Sequence, residues 1–247
     1  MSFSVITPVK NVGGEIFDTI KSVNSQIGVE VEHIIVNGES NDDLSILLAQ
    51  DPNINSKVMC LGDQGIYDAF NKGLQVGNGQ IISFLGSGDV FGSDTTLLAV
   101  ENCFESDQID AVYGNIILKF ESGKMRFRRL WQAGEFSKLN LFFGWMPPHP
   151  TFFVKKKTFS TIGKFDTTLA ISGDYDFVLR FFLNQEMKTK YLDQTLVLMR
   201  GGGASTKFGT NLFRKLSEDI SVASRYYSLG FLTVFFKLVR KTAQFRI

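Results

Sequence analysis

Asp89 stands at the tip of SFLGSGDVF (83–91), where an apolar run meets Gly86 and Gly88. Glycine lets a backbone approach a ligand closely, so a lone acid here could hold a metal, bond a sugar hydroxyl or cap the next turn. A second acidic stretch, SGDYDFVLR (172–180), carries Asp174 and Asp176 at the head of a helix-forming run. Two residues apart on a helix they point to different faces and do not share one hydroxyl; Asp174 would also serve as an N-cap. His149 is set among Pro147, Pro148 and Pro150, which fix the loop around it. His33, the other histidine, lies in an apolar run and reads as packing. Arg200 opens onto GGGAST (201–206), a loop that could close over a phosphate, although a solvated arginine fits the same pattern.

These residues need elements to hold them. FSVITPV (3–9) reads as a buried strand stopped near Pro8, and Ile16, Ile20, Val23 and Ile27 repeat at helical spacing. VEHIIVNG, KVMCLG and QIISFLG read as further strands, with NDDLSILLAQ and GIYDAFNKGLQVG as the helices between them. Strand and helix alternating at this spacing imply right-handed crossovers and an α/β fold with a largely parallel sheet. At the strand ends stand Thr7, Asn37, Glu39, Asp63 and Asp89, each an ordinary turn residue alone but together a polar shelf suited to a base and ribose. The later half is less regular: TTLLAVENCFES and DYDFVLRFFLN read as helices, DAVYGNIILKF and KMRFRRLW as a hairpin, and KTKYLDQTLVLMR as a strand.

Composition removes several classes. With 44% hydrophobic and 21% charged residues the chain is globular rather than disordered, and its +1 net charge gives no field for nucleic acid. Cys60 and Cys103 lack metal-site or disulfide-framework spacing. No signal-peptide pattern or apolar run of membrane-spanning length is present, so a cytoplasmic setting is expected. The first turn, TPVKNVGGE, lacks the dinucleotide glycine fingerprint, and no P-loop occurs.

The ordered set SVITPVKN, SVNSQ, EHIIVNGESNDD, DQGIYDAFNKG and GQIISFLGSGDV is continued by DAVYGN, PPHPTFFVKK, IGKFDTTLAISGDYDFVLR and YLDQTLVLMRGGG. Over residues 3–205 it resembles the family 2 inverting glycosyltransferases of the GT-A fold, most of all bacterial members that build surface polysaccharides such as O-antigen and capsule. The resemblance implies a Rossmann-like, mostly parallel sheet flanked by helices, and transfer of a sugar from a nucleotide-diphosphate donor to a glycan, with a lipid-linked glycan as the expected acceptor. It implies a divalent cation, Mn2+ or Mg2+, held by Asp89, although Gly88 replaces the neighbouring acid that the family commonly shows. It places Thr7, Pro8, Asn37, Glu39, Asp63 and Ser87 on the donor nucleotide, with Asn37 where Asp is usual. Asp174 matches the general base, while His149, Asp176 and Arg200 are candidates for contact with acceptor or diphosphate. The expected organisation is a catalytic domain over 1–205, with a nucleotide half to about 115 and an acceptor half over 116–205, then a basic, aromatic tail over 206–247. Residues 225–247 suit either a helix in a bilayer interface on the inner membrane face or a docked helix with its charges outward. The rival functions are an inactive nucleotide-sugar-binding protein of the same fold and a nucleotidyltransferase.

Overall fold

The structure, a computed structural model, describes residues 1–11, 13–38, 56–60, 64–105, 108–122, 125–201 and 210–243. Glu39, Asp63, the helix expected over 41–50 and most of GGGAST lie outside the described residues.

Strands β1 (Ser2–Val9), β2 (Glu30–Asn37), β3 (Ser56–Cys60) and β4 (Ile81–Phe84) form a parallel block in the order β3-β2-β1-β4. Helices α1 (Glu15–Asn24) and α2 (Ile66–Val76) flank it, which is why β1 and β4 are apolar on both faces. The sheet then continues with β8 (Phe153–Lys155), β6 (Ala111–Ser122), β9 (Thr189–Arg200) and β5 (Val90–Phe91). Here antiparallel pairs enter, at β4–β8, β6–β8 and β5–β9, while β6–β9 remains parallel. β7 (Met125–Trp131) pairs with β6 as the expected hairpin. The remaining helices are α3 (Thr96–Cys103), α4 (Lys138–Phe142), α5 (Thr158–Ile162), α6 (Gly173–Leu183), α7 (Thr210–Ser224) and α8 (Gly230–Ala243), with a 3-10 turn at His149–Thr151.

One face of the sheet packs Phe3, Val5 and Phe153 against Val23 of α1 and Leu97 of α3. The other packs Ile6 and Phe84 against Phe70 of α2 and Phe177 of α6. Several of the chain's 24 phenylalanines gather there: Phe84 lies 4.5 Å from Phe70 and 5.0 Å from Phe165, and Phe165 lies 4.8 Å from Phe177. Offset and edge-on ring pairs of this kind add about 0.5–1.5 kcal/mol each beyond their buried area. The His149 ring stacks on Phe84 at 5.6 Å, so this aromatic layer is the floor beneath the histidine loop.

The tail is docked. Val222, Ala223 and Val234 join the core beneath α6. Asp176 fastens the turn between α7 and α8, since its Oδ1 accepts from Arg225 (3.1 Å) and from the Tyr226 hydroxyl (3.3 Å). Helix α8 is amphipathic in an unusual sense. Thr233, Val234 and Lys237 face inward, while Phe231, Phe235, Leu238 and Val239 stand 54%, 57%, 42% and 48% exposed along one outer stripe. The docked form with outward charges, one of the two arrangements expected from the sequence, is therefore reversed at Lys237: the stripe is apolar and this cation is buried.

Candidate active site

Where β4 ends, Gly86-Ser87-Gly88 turns the chain so that Asp89 faces back over the sheet edge. Gly88 has φ 85°, a region that strains any residue with a Cβ. A Cβ there would also come within 3.3 Å of the Arg200 side chain and 3.4 Å of Glu15. The absence of the second acid thus has a steric reason. Thr19 braces the turn: its hydroxyl accepts from the Gly88 N–H and donates to the Asp89 carbonyl, both at 2.9 Å. The Asp89 carboxylate is 5% exposed and takes the Arg200 backbone N–H on Oδ1 at 2.9 Å. Burial pushes this carboxyl up to about 7, against the smaller opposing effect of its backbone hydrogen bonds.

Helix α6 supplies the second acid. Its N-cap position is Ser172, so Asp174 lies within the first turn and is not the cap. Gly173 lets the Tyr67 ring lie against the helix start, because a Cβ there would fall 2.8 Å from that ring. The Tyr67 hydroxyl donates to the Ile171 carbonyl at 2.6 Å and lies 3.3 Å from Asp174 Oδ1. The loop ahead of α6 is held from the tail. Glu218 of α7 accepts the N–H groups of Ala170 (3.2 Å), Ile171 (2.8 Å) and Ser172 (3.0 Å). The Ser172 hydroxyl donates to Asp219 at 2.7 Å.

Both acids line one cleft of about 490 Å³. Pro8, Ser87, Asp89, His149, Asp174 and Arg200 come together around it. The Ser87 hydroxyl and both His149 ring nitrogens are buried with no hydrogen-bond partner among the described residues. Burial lowers the His149 pKa, opposed by nearby Asp174, so its imidazole is neutral. A larger groove, about 690 Å³, lies on the other side of Gly88 beside Asp18 and Lys21, but neither Asp89 nor Asp174 lines it.

Three expected contacts are not on this cleft. Thr7 is fully buried and its hydroxyl lies 2.9 Å from His33 Nε2, because strand alternation turns it away from the face of Ile6 and Pro8. Asn37 is buried beside Val9 at the end of β2 and does not line the cleft. Asp176 is 2% exposed, is held by Arg180 (2.8 Å) and Arg225, and does not line the cleft. Conversely Glu15, Tyr67 and Phe70 line the cleft without having been expected there. Tyr67 and Phe70 read in the sequence only as apolar positions of an amphipathic helix.

The donor set suits a cation of modest demand. Among the described residues no group of three or more His, Cys, Asp or Glu side chains could hold a metal. A single buried carboxylate, with no cationic side chain bonded to it among the described residues, still suits Mg2+ or Mn2+, which take one or two carboxylates beside phosphate oxygens.

Open α/β sheets bind nucleotides in the crevice at the carboxyl ends of their strands. This sheet, with two carboxylates lining the crevice at its strand ends, is of the GT-A type. Residues 4–170 match the family described as Glycosyl transferase family 2, and the chain belongs to that family. It is 30% identical over 194 residues to a PGL/p-HBAD biosynthesis glycosyltransferase of Mycobacterium bovis, covering 77% of this chain and 73% of the relative. An uncharacterized glycosyltransferase of Mycobacterium tuberculosis is 29% identical over 185 residues, covering 72% and 67%. Among solved structures, S. aureus TarS 1-349 in complex with UDP-GlcNAc is similar at TM-score 0.68 and 18% identity, covering 91% of this chain and 66% of that one. The chain spans 39% of the longer TarS structure. The mannosyltransferase PcManGT from Pyrobaculum calidifontis, in complex with GDP-Man and Mn2+, is similar at TM-score 0.65 and 13% identity, covering 99% and 76%. At such identities these structures speak to the fold.

Proposed function

We propose that this glycosyltransferase is inverting, takes a nucleotide-diphosphate sugar, and glycosylates a hydroxyl of a lipid-linked glycan during assembly of a surface polysaccharide. The observation that carries the reading is the convergence of Asp89 and Asp174 on one cleft. Asp174 accepts the proton of the acceptor hydroxyl while that oxygen attacks the anomeric carbon. The bond from that carbon to the donor's phosphate oxygen breaks, and its electron pair leaves with the nucleoside diphosphate. Attack opposite the leaving group inverts the anomeric centre, and one base with no protein nucleophile suffices. Asp89 would hold the divalent cation, which when bound supplies charge to offset the leaving diphosphate. Ser87, whose hydroxyl has no partner among the described residues, and Arg200 line the cleft and would bind the donor. Neutral His149 can donate one hydrogen bond and accept another beside Asp174.

The outer stripe of α8 supports contact with a membrane surface. Phe231 and Phe235 lie one helical turn apart on it, and no helix among the described residues is long and apolar enough to cross a membrane. The test is a panel of nucleotide-sugars with acceptor glycans and Mn2+, with the product anomer read by NMR. A product of inverted configuration, absent with Asp174→Asn, is expected; retention of configuration would overturn the mechanism.

A further inference from the structure

A second, smaller cleft of about 160 Å³ opens on the other side of Asp174. Asp174, His149, Pro150 and Met199 line both clefts, so the carboxylate stands at the seam between them. The tail builds one wall of the second cleft with Lys215 of α7 and Lys237, Arg240 and Lys241 of α8. Trp131 and Trp145 contribute indole surface to its lining, and Asp174 is the one carboxylate on it.

Among the described residues the charges around this cleft do not balance. Asp219, behind the wall, pairs with Lys237 at 3.1 Å and stands 3.8 Å from Lys215. Arg240 is occupied by the Phe143 carbonyl and the Asn140 side chain, both at 3.0 Å. Lys241 has no carboxylate partner among the described residues. Burial, and next the like charge of Lys215, depress the Lys241 pKa below the ordinary lysine value. Burial brings Lys237 down to about 8, partly offset by Asp219. Cations brought together out of water are costly unless an anion answers them.

We propose that this cleft is an anion subsite for the acceptor, binding a phosphate or diphosphate carried by the acceptor glycan while the receiving hydroxyl reaches Asp174. The class follows from the charge. A phosphate brings about −1.5 to −2 and several acceptor oxygens, where a carboxylate would leave most of the excess unanswered. The indoles supply apolar surface for the sugar beside it. This inference rests on the reading of Asp174 as the acceptor base.

The test uses the full chain and two variants, Lys241→Gln and the double Lys215→Gln/Lys241→Gln. A panel of nucleoside diphosphates is titrated first, and the one that binds is kept saturating so that the donor cleft is filled. Glucose, glucose 1-phosphate and farnesyl diphosphate are then titrated by calorimetry. Glucose 1-phosphate should bind more tightly than glucose, and the double variant should weaken phosphate binding at least about 10-fold, the loss of a charge-assisted contact. Nucleotide affinity should not change. Weakening for both phosphates means the group is recognised whatever carries it, and weakening for farnesyl diphosphate alone assigns a lipid-borne source. Binding of both phosphate probes that is absent, no tighter than that of glucose, or unaffected in the variants overturns the subsite. Lys241→Gln guards against a folding artefact, because Lys241 holds no ion pair among the described residues. If no nucleotide binds, the donor reading fails, and the phosphate titrations run without nucleotide still decide the subsite.

Discussion

Replacing Glu218, which does not itself line the cleft, by alanine should loosen the loop that leads to Asp174. Glu218 accepts the Ile171 and Ser172 N–H groups at 2.8 and 3.0 Å, with a longer bond from Ala170. Its folded pKa is lowered, with burial opposing and these backbone donors favouring the charged form, so the acceptor is ionised at neutral pH. A hydrogen bond to a charged group contributes about 1.5–3 kcal/mol, and partial exposure of the loop reduces that, so removing the pair should cost about 2–4 kcal/mol of local order. At about 1.4 kcal/mol per decade, this is roughly 30- to 700-fold faster amide exchange. Hydrogen exchange read by NMR or mass spectrometry at 170–172 tests it directly, with Glu218→Gln intermediate because it keeps one acceptor oxygen. In the transferase assay kcat should fall while donor affinity is kept. Unchanged exchange at Ile171 and Ser172 would refute the reasoning. So would equal acceleration throughout α7, because the tail would then have come off as a unit.

Asp174→Asn should lower kcat by about 10²–10⁴-fold, the range of a general base, with nucleotide affinity retained; activity near that of the parent protein would remove Asp174 from its role. Asp89→Ala should abolish the Mn2+ dependence of nucleoside diphosphate binding, and calorimetry with and without metal checks it. Asp176→Ala leaves Arg180 without its carboxylate and Arg225 with Asp166 alone, and should cost about 2–4 kcal/mol in urea unfolding, the loss of hydrogen bonds to a charged group from partly exposed arginines. His33 is held neutral by burial, which lowers it from 6.5 to about 3. Between those values the unfolded chain binds the extra proton, so stability should fall by about 1.4 kcal/mol per pH unit as pH drops below 6.5. His33→Gln should flatten that slope.

The parallel half was legible because β-branched runs and helical repeats alternate there without interruption. The same period of two, applied residue by residue, would have turned Thr7 away from the cleft, since it shares a face with Phe3 and Val5 rather than with Ile6. Apart from the β6–β7 hairpin, the partners of the antiparallel strands were not legible: β8, a strand three residues long after the His149 loop, finds its place between β4 and β6 through contacts distant in sequence. The division between the acids of α6 was half visible. Helical geometry separates them, yet only the positions of Arg180 and Arg225 show that Asp176 is the buried one. Glu218 and the tail lysines carry no local signature, because a residue 46 positions away from the loop it caps looks like any charged residue on a helix.

The family match ends at residue 170, before the helix that carries Asp174 and before the two tail helices. From beyond that limit Lys215 and Lys241 line the second cleft and Glu218 holds the loop ahead of Asp174, while Asp89 and Ser87 lie within it. On the reading proposed above, the cations offered to the acceptor come from the tail, while Trp131 and Trp145 beside them lie within the match. Exchanging residues from 206 onward between relatives would change what receives the sugar while leaving what delivers it alone, so such chimaeras offer a direct route to redirecting this enzyme.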